Sequence, residues 1–484
     1  MVDIKTCQGE ISGQNREKSA AGAERKENME GALIAAIATG AVRCAIGILR
    51  LSGPGAARCA GAVFQASDGR ALGEHPPRTL VYGTLFDRAG QQIDQVLATW
   101  SPAPHSYTGE ETAELQCHGS PAVLALALDG LFAHGARQAG PGEFTRRAFL
   151  NGKLDLAQAE AVMDLIDAET PGAVRQAAGQ LSGALSRRVE RVYDCLVDVM
   201  AHFHAVLDYP DEDIDPFTAR TIREALTGAG QALTALLGTY RRGSMLTRGV
   251  PCAIVGRPNA GKSTLLNALV GYERAIVTDV PGTTRDTVEE RCVLGGTLLR
   301  LIDTAGLRET EDAVEKLGVA RSRAAMEGAE LILAVLDRSA PVTEEDFRLV
   351  EEAAALAPTL LVWNKADLPA GPGFAAGGKL PSGVEISART GAGLDRLGEA
   401  VAQSLPPSAG EVEGELLTNA RQAEAAGRAR EALSRAESAL EAGVTPDAVL
   451  TDVEEALAAL GELTGRTVRE DVTARIFQRF CVGK

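Results

Sequence analysis

The sequence lacks several features that would assign a protein to a broad class at once. It has no apolar run near the roughly 20 residues that a membrane-spanning helix requires, and no signal-peptide core. Its eight cysteines form no CxxC pair and have no paired histidines nearby, so neither a disulfide framework nor a zinc site is indicated. All six histidines lie before residue 205, so chemistry further along the chain has no histidine base. We therefore expect a cytoplasmic protein without a membrane segment.

Positive charge is also scarce. The 49 Lys and Arg residues face 65 Asp and Glu residues, which gives a formal net charge of -16 and a pI of about 5.0. This balance argues against a broad basic face, so an RNA would be held by a local patch or by a partner. At 484 residues, with 45% hydrophobic and 24% charged residues, the chain has the composition of a soluble protein and is long enough for about two to four domains.

One stretch fits the P-loop pattern GxxxxGK[ST]. It runs from Gly256 to Ser263, with an apolar run before it and a helix-forming run after it. Gly256 and Gly261 allow backbone N–H groups to point inward, and the start of the next helix adds positive potential. Lys262 supplies a charge for the terminal phosphates, and the hydroxyl of Ser263 suits Mg²⁺. We interpret this stretch as a phosphate-binding site.

Three later motifs identify the nucleotide. Asp303-Thr304-Ala305-Gly306 is a DxxG arrangement, in which the Asp lies beyond Mg²⁺ and the Gly N–H senses the γ-phosphate. Asn364-Lys365-Ala366-Asp367 follows an apolar run, and its carboxylate can accept two adjacent N–H groups that guanine has and adenine lacks. Ile386-Ser387-Ala388 adds a loop whose backbone N–H can meet the guanine oxygen. Together these motifs predict GTP binding.

The glutamine that orients the attacking water in Ras-type GTPases is missing. It would directly follow DxxG, where this sequence has Leu307. The side-chain oxygen of Asn259 and the backbone carbonyls of residues 278–283 could hold a K⁺ that neutralises charge in the transition state. Asn259 could equally cap the loop, and these residues alone leave both interpretations open. One of the acidic residues downstream, such as Glu315, could orient the water.

The N-terminal third predicts a tail and one domain. Residues 1–28 are polar and without periodicity, so we expect a disordered tail that carries no function, and Met29 could be the natural start. Residues 29–147 contain strand-like runs with intervening helices, which predicts an α+β domain. The predicted strands are 34–39, 46–54, 80–86, 96–100 and 112–117.

Helical sequence flanks the motif-bearing segment. Residues 148–248 carry an apolar stripe from Leu181 to Phe203 at alternating steps of four and three, which is typical of one long helix. Residues 406–484 form a second helical block, which ends in a short helix at 472–480. The segment 249–405 would then be an α/β domain inserted into a helical domain, whose two parts pack on each other.

Taken with both ends of the chain, these motifs resemble the MnmE/TrmE family of tRNA modification GTPases. The resemblance runs from about residue 29 to the end. It implies a multidomain α/β and α+β protein, with an N-terminal α+β folate-binding domain and an all-α helical domain that carries an inserted Ras-like P-loop α/β GTPase domain. The markers are Gly47–Gly53, Tyr107–Glu110, Pro141–Thr145, Ala148–Glu160, Gly256–Ser263, Asp303–Arg308 and Phe480–Lys484.

In that family the GTPase works with a flavin-dependent partner, MnmG. The resemblance implies a homodimer that forms a heterotetramer with a MnmG-type FAD protein and modifies tRNA. The modification adds an aminomethyl or carboxymethylaminomethyl group to carbon 5 of the wobble uridine. The one-carbon unit would come from 5,10-methylene-tetrahydrofolate, of which 5-formyl-tetrahydrofolate is a stable analogue. The implied folate contacts are Arg50, Glu114, Lys153 and Lys484.

The resemblance also assigns ions and catalytic residues. It implies that K⁺ is bound, that two nucleotide domains meet across it, and that Glu315 orients water. The implied ligands are Asn259, Thr278, Val280 and Thr283 for K⁺, and Ser263 and Thr284 for Mg²⁺. The expected GTP contacts are Asn259, Ala260, Gly261, Lys262, Ser263, Thr264, Thr278, Asp279, Val280, Pro281, Gly282, Thr283, Thr284, Asp303, Thr304, Ala305, Gly306, Asn364, Lys365, Ala366, Asp367, Ser387, Ala388 and Arg389.

Cys481, near the end of the chain, has two interpretations. It lies four residues from the end, as the cysteine of a prenylation box does, but Gly483 is not aliphatic and Lys484 is not a typical last residue of such a box. A buried structural cysteine after Phe477 and Phe480 is the simpler interpretation. The resemblance instead implies a part in tRNA modification, as a nucleophile or as a proton donor.

Two other functions remain open at this stage. One is a ribosome-assembly GTPase of the Era or Der type, which shares the P-loop and DxxG sequences. The other is a switch whose GTP state only recruits partners. Folate binding would separate both from a modification enzyme.

Overall fold

The computed structural model describes residues 31–40, 43–208, 219–272, 290–302, 323–371, 380–405, 412–444, 446–467, 470–478 and 480–483. The chain divides into two compact units. The first holds the described residues up to Ala159 and those after Thr467, and the second runs from Glu160 to Thr467. Among the described residues, none of the helices combines the length and apolarity that crossing a membrane requires.

A seven-stranded sheet forms the centre of the first unit. Its strands are β1 Ile34–Ile37, β2 Cys44–Ser52, β3 Phe64–Ala66, β4 Val81–Phe86, β5 Gln92–Ser101, β6 Thr112–Gly119 and β7 Arg137–Gln138. Their spatial order is β3-β4-β5-β6-β2-β1-β7. β1 and β7 pair in parallel, and the other neighbours pair antiparallel. The five predicted strands correspond to β1, β2, β4, β5 and β6, whereas β3 and β7 are too short to show a period of two.

Helices cover one face of this sheet, because buried and less buried side chains alternate along its strands and the buried ones point to that face. In β6, Ala113, Leu115 and Cys117 are buried while the residues between them are half-buried. The buried set packs against two helices in the main core of the unit. Phe144 on a third helix packs with Ile34 in a separate small cluster. The helices are α1 Ala56–Val63, α2 Pro121–Ala133 and α3 Glu143–Leu150.

The second unit combines helices with a second sheet. Its helices are α4 Leu156–Ile166, which begins in the first unit, α5 Pro171–Leu181, α6 Ala184–Asp208, α7 Ala219–Gly238, α8 Tyr240–Arg248, α9 Lys262–Tyr272, α10 Glu344–Leu356, α11 Leu394–Ser404, α12 Ala420–Glu441 and α13 Pro446–Thr464. α12 packs on α7 and α13, and α13 packs on α6. The prediction that the two helical blocks pack on each other is therefore confirmed.

The apolar stripe from Leu181 to Phe203 does not belong to one helix, as the sequence suggested. Leu181 ends α5, and α6 begins at Ala184. Gly183 between them has φ 84, a left-handed conformation that interrupts an α-helix. After the break, Leu185 and Leu196 of the stripe are buried in α6. The spacing of the stripe therefore predicted the buried face of α6 but not the point at which that helix begins.

The motif-bearing segment forms a six-stranded sheet. The strands are β8 Val250–Val255, β9 Glu290–Leu294, β10 Thr297–Leu301, β11 Leu331–Asp337, β12 Thr359–Asn364 and β13 Val384–Glu385, in the order β13-β12-β11-β8-β10-β9. β9 and β10 pair antiparallel and the other neighbours pair in parallel. α9 and α11 cover one face and α10 covers the other. The predicted α/β arrangement is observed, and the loops after β8 and β12 lie at carboxyl ends of parallel strands, where such sheets bind ligands.

A polar joint holds α4 to the start of α12. Glu160 accepts two hydrogen bonds from the guanidinium of Arg421, at 2.7 and 2.8 Å. One turn further along α4, Asp164 accepts a hydrogen bond from the hydroxyl of Thr418 at 3.0 Å. Burial raises the pKa of Asp164 to about 6, against the smaller opposing effect of that hydrogen bond. The contact between α4 and α12 therefore contains a carboxyl group, that of Asp164, whose ionisation is energetically unfavourable.

The last helix, α14 Glu470–Phe477, belongs to the first unit. The ring of Phe477 lies 6.3 Å from that of Phe149 and 5.2 Å from that of Phe480. The sequence-based domain limits, which placed residues 148–159 and 468–484 with the helical blocks, stay a prediction. The predicted helix at 472–480 ends earlier, at Phe477. Helical periodicity reveals that a face is buried, but it does not reveal which core receives it.

Candidate functional site

The P-loop joins β8 to α9 and requires glycine at two points. An added Cβ at Gly256 would overlap the carbonyl oxygen of Val335, and one at Gly261 would overlap the side-chain amide of Asn364. Gly261 also has φ 94, and Asn259 adopts φ 63, a conformation that asparagine tolerates better than most residues. The loop thus has the tight curvature that turns backbone N–H groups toward one point.

Lys262 lies at this loop. Its ammonium donates hydrogen bonds to the carbonyl oxygens of Gly256 and Arg257, both at 2.9 Å. Burial lowers the pKa of Lys262. An anion at the same place would offset this effect because it favours the charged form.

Arg257 fixes the loop to α10. Its guanidinium donates to the hydroxyl of Thr343 at 2.9 Å and approaches the carboxylate of Asp346 at 3.4 Å. Thr343 and Asp346 form the capping box at the start of α10. Sequence analysis did not identify this anchor, although a Thr-x-x-Asp pattern before a helix was a signal for it.

Asn364 connects three of the predicted motifs. Its amide donates to the carbonyl oxygen of Ala260 in the P-loop at 2.9 Å. Its side-chain oxygen accepts from the backbone N–H of Ala388 at 3.0 Å. Asn364 is 2% exposed, so both bonds are protected from water. The structure therefore brings together the P-loop, the residues 364–367 and the residues 387–389, as the sequence predicted.

The carboxylate of Asp367, which was predicted to read guanine, is held by residues 387–389. The Ser387 hydroxyl donates to one oxygen of Asp367 at 2.7 Å, and the Arg389 guanidinium lies 2.8 Å from the other. The hydrogen bond from Ser387, more than the charge of Arg389, holds the pKa of Asp367 below its usual value. The carboxylate is therefore ionised and available as an acceptor near neutral pH.

Asp337 is a site residue that sequence analysis missed. It ends β11, and its carboxylate accepts a hydrogen bond from the ammonium of Lys365 at 2.7 Å. Burial opposes ionisation of Asp337, but Lys365 and Ser339 outweigh it and lower the pKa. Lys365 has φ 66, so this ion pair fixes a side chain on a strained backbone position. The signal in the sequence was an aspartate at the end of a strand next to β12.

Several predicted site residues lie outside the described residues. These are Thr278, Asp279, Val280, Pro281, Gly282, Thr283, Thr284, Asp303, Thr304, Ala305, Gly306, Glu315 and Lys484. Their roles stay predictions.

A second constellation lies in the first unit. Arg50 on β2 and Glu114 on β6 occupy paired positions and form an ion pair at 2.8 Å. The guanidinium of Arg50 also lies 5.8 Å from the ring centre of Tyr107. Lys153 is exposed, and an added Cβ at Gly109 would be 3.4 Å from its side chain. Three of the four residues predicted to contact folate therefore lie near one another. Arg50 and Lys153 approach the Tyr107–Gly109 loop, and Glu114 is paired with Arg50.

The terminal segment is attached to the same unit. The N–H of Gly142 donates to the carbonyl oxygen of Cys481 at 3.2 Å, and Pro141 pairs with Val482 in an antiparallel bridge. Phe477 and Phe480 are buried beneath it, but Cys481 is exposed. The interpretation of Cys481 as a buried structural residue is therefore wrong. The backbone of the segment is bonded to residues 141 and 142, while the side chain of Cys481 is exposed.

Comparison with known families covers nearly all of the chain. The family model of the MnmE helical domain matches residues 156–481, and that of the GTP-binding protein TrmE N-terminus matches residues 33–153.

The chain belongs to the MnmE family.

Full-length relatives agree with the family models. The tRNA modification GTPase MnmE of one strain of Thermus thermophilus is 48% identical over 453 residues, which span 93% of this chain and 99% of that protein. The protein of the same name from Symbiobacterium thermophilum is 44% identical over 458 residues, with coverage of 93% and 99%. Similarity to MnmE proteins thus extends beyond the P-loop.

A crystal structure of Aquifex aeolicus Era with GDP and aluminium fluoride is 28% identical over 37% of this chain and 65% of that one, with a TM-score of 0.25. A score this low supports no conclusion about the fold.

Proposed function

We propose that this protein is a GTP hydrolase that acts in tRNA modification. The observation that carries the proposal is the pair of hydrogen bonds by which Asn364 joins the P-loop, at Ala260, to the residues 387–389, at Ala388. Two relatives that match 93% of the chain are named tRNA modification GTPases. The direct test is binding and hydrolysis of GTP and ATP by the full chain. Equal affinity for both nucleotides would refute the assignment of guanine to Asp367.

Hydrolysis would use Mg²⁺ and K⁺. Ser263 and Asn259 are exposed residues of the P-loop, and a hydroxyl and an amide oxygen are suitable ligands for these cations. Mg²⁺ would be held by Ser263 with Thr284, and K⁺ by Asn259 with Thr278, Val280 and Thr283. K⁺, when bound, would supply the positive charge that an arginine finger supplies elsewhere, and Glu315 would orient the water.

The K⁺ assignment has a simple test. Turnover in K⁺ should exceed turnover in Na⁺ at equal ionic strength by at least roughly tenfold, or about 1.4 kcal/mol of barrier. Rb⁺, which is close to K⁺ in size, should partly restore turnover. Equal rates in K⁺ and Na⁺ would remove K⁺ from the mechanism.

The first unit would bind tetrahydrofolate. Arg50 and Lys153 offer positive charge for the acidic tail of a folate, and Glu114 is an acceptor for the paired N–H groups of a pterin. Lys484 would complete the contacts. 5,10-Methylene-tetrahydrofolate, when bound, would supply the one-carbon unit for carbon 5 of the wobble uridine. A homodimer, a MnmG-type FAD partner in a heterotetramer and a cytoplasmic location complete the proposal.

Binding of 5-formyl-tetrahydrofolate tests the folate site. Arg50→Met and Lys153→Met should each weaken binding measured by calorimetry, because each removes a cation. Arg88→Met, an exposed residue of the β4–β5 turn in the same unit, is the matched control and should bind normally. Equal affinity in all three variants would contradict this site. Absence of folate binding in the unmodified chain would favour a ribosome-assembly GTPase or a pure switch.

Modification itself is tested in cells. Wobble uridine from cells that lack this protein should have lost the aminomethyl or carboxymethylaminomethyl group in mass spectrometry of tRNA. Return of the gene should restore it. Unchanged uridine modification in the absence of the protein would refute the proposed function even if GTP is hydrolysed.

A further inference from the structure

The side chains around Asp367 explain how its carboxylate is aimed. A carboxylate has about four lone-pair positions, two on each oxygen. The Ser387 hydroxyl uses one position on one oxygen, and Arg389 uses one on the other. Because each oxygen can accept more than one hydrogen bond, neither of these contacts by itself excludes guanine. Guanine presents two adjacent N–H groups, which require one acceptor position on each of two neighbouring oxygens.

The Ser387 hydroxyl has a defined direction. Its oxygen accepts a hydrogen bond from the backbone N–H of Thr390 at 3.3 Å, so its own proton is free to point to Asp367. Ser387 is 1% exposed, and water does not compete for this bond. Ser387 therefore fixes one oxygen of Asp367, but a single bond still lets the carboxylate swing about it.

Arg389 supplies the second point of attachment. Its side chain is 74% exposed, but the residues on both sides of it are fixed. The N–H of Ala388 donates to Asn364, and the N–H of Thr390 donates to Ser387. Asp367 is only 16% exposed in its side chain. With one oxygen held by Ser387 and the other by Arg389, rotation of the carboxylate plane is restricted.

We propose that Arg389 is a positioning residue for guanine recognition, which acts through the carboxylate of Asp367 and not by contact with the nucleotide. This inference rests on the proposed function as a GTPase. It assigns to Arg389 a share of the base affinity, which Arg389 exerts through the contact between Asp367 and the base. Because the Arg389 side chain is 74% exposed and water screens its charge, the effect of the pair on GTP affinity is small, about two- to fivefold.

Binding by the full chain in Mg²⁺ and K⁺ tests the inference. Arg389→Met should weaken GTP binding about two- to fivefold. Arg220→Met is the matched control, since Arg220 is 84% exposed and forms an ion pair with Glu224 at 2.8 Å on α7, outside the nucleotide motifs. It should bind GTP as the unmodified chain does. An unchanged affinity in Arg389→Met, or a tighter one caused by release of a competing ion pair, would overturn the inference.

A second background separates positioning from direct contact. In Asp367→Asn the carboxylate is gone, and xanthosine triphosphate is the nucleotide to measure. If Arg389 acts through Asp367, adding Arg389→Met should cause no further loss of xanthosine triphosphate affinity. The same two- to fivefold loss in both backgrounds would show that Arg389 contacts the nucleotide itself. Failure of the unmodified chain to bind GTP would instead refute the proposed function.

Discussion

Replacement of Gly142 by alanine should loosen the C-terminal segment and leave the nucleotide site intact. Gly142 has φ 61, and its added Cβ would lie 2.7 Å from the carbonyl oxygen of Phe477 and 2.8 Å from Cβ of Phe480. The left-handed backbone costs an alanine about 1–2 kcal/mol. The clash adds to this, because the atoms that meet the new methyl group belong to the backbone or are attached to it. The terminal segment must therefore shift as a whole.

Gly90→Ala is the control for the cost of placing an alanine on a left-handed backbone. Gly90 lies in the β4–β5 turn with φ 78, and no atom lies within 4 Å of its added Cβ. Displacement of the terminal segment in Gly142→Ala would expose Phe477 and Phe480, whose burial contributes about 1.5–3 kcal/mol each. Partial displacement should therefore make Gly142→Ala less stable than Gly90→Ala by roughly 1–3 kcal/mol.

Two measurements follow the segment. Thermal unfolding gives the difference in stability, and hydrogen exchange at the N–H of residue 142, which donates to the carbonyl oxygen of Cys481, gives the local mobility. Exchange at this N–H should be faster in Gly142→Ala than in Gly90→Ala, with GTP hydrolysis unchanged in both. Equal stability and equal exchange in the two variants would show that the terminal segment is not held by its contact at Gly142.

Three other substitutions test separate parts of the molecule. Asp367→Asn should lose affinity for GTP and gain affinity for xanthosine triphosphate, and a preference for GTP by the original margin would mean that Asp367 does not read the base. Cys481→Ser should sharply reduce uridine modification and leave GTP hydrolysis intact, since a hydroxyl is a weaker nucleophile and acid than a thiol; normal modification would exclude a chemical role. Asp164 has a folded-state pKa of about 6 against 3.8 for the ordinary group, so its contribution to stability is present below about pH 4 and lost as the pH rises through 6. Asp164→Asn should remove up to about 2 kcal/mol of this dependence in thermal scans from pH 4.5 to 7.5, and an unchanged slope would contradict the buried carboxyl.

The nucleotide site was the most predictable part of the molecule. Local motifs named Lys262, Asn364 and Asp367, and parallel strands carried them to one edge of a sheet. The supporting residues were not predictable to the same degree. Asp337 and Arg257 act through partners that are distant in sequence. A strand-end aspartate and a Thr-x-x-Asp pattern were signals at these places, but neither pattern identifies the partner.

The terminal segment shows a different limit of sequence reasoning. Its hydrophobic residues predicted burial, and Phe477 and Phe480 are indeed buried. Cys481 beside them was expected to be buried as well, because the pattern carries no information on where a short irregular segment turns its side chains. The positive φ of Gly483 and the close approach at Gly142 determine that turn, and both depend on packing with residues more than 300 positions away.

The two bonds of Asn364 have a consequence for how affinity is distributed in the site. An amide has a donor end and an acceptor end, so reversing it would break the bonds to Ala260 and to Ala388 at once. Neither aspartate nor serine reproduces both ends at that length. The P-loop and the residues 387–389 are therefore ordered together before a nucleotide binds. The entropy cost of aligning them belongs to folding and not to binding. A ligand that occupies only one half, such as free guanosine or a triphosphate with another base, should find the other half already in place.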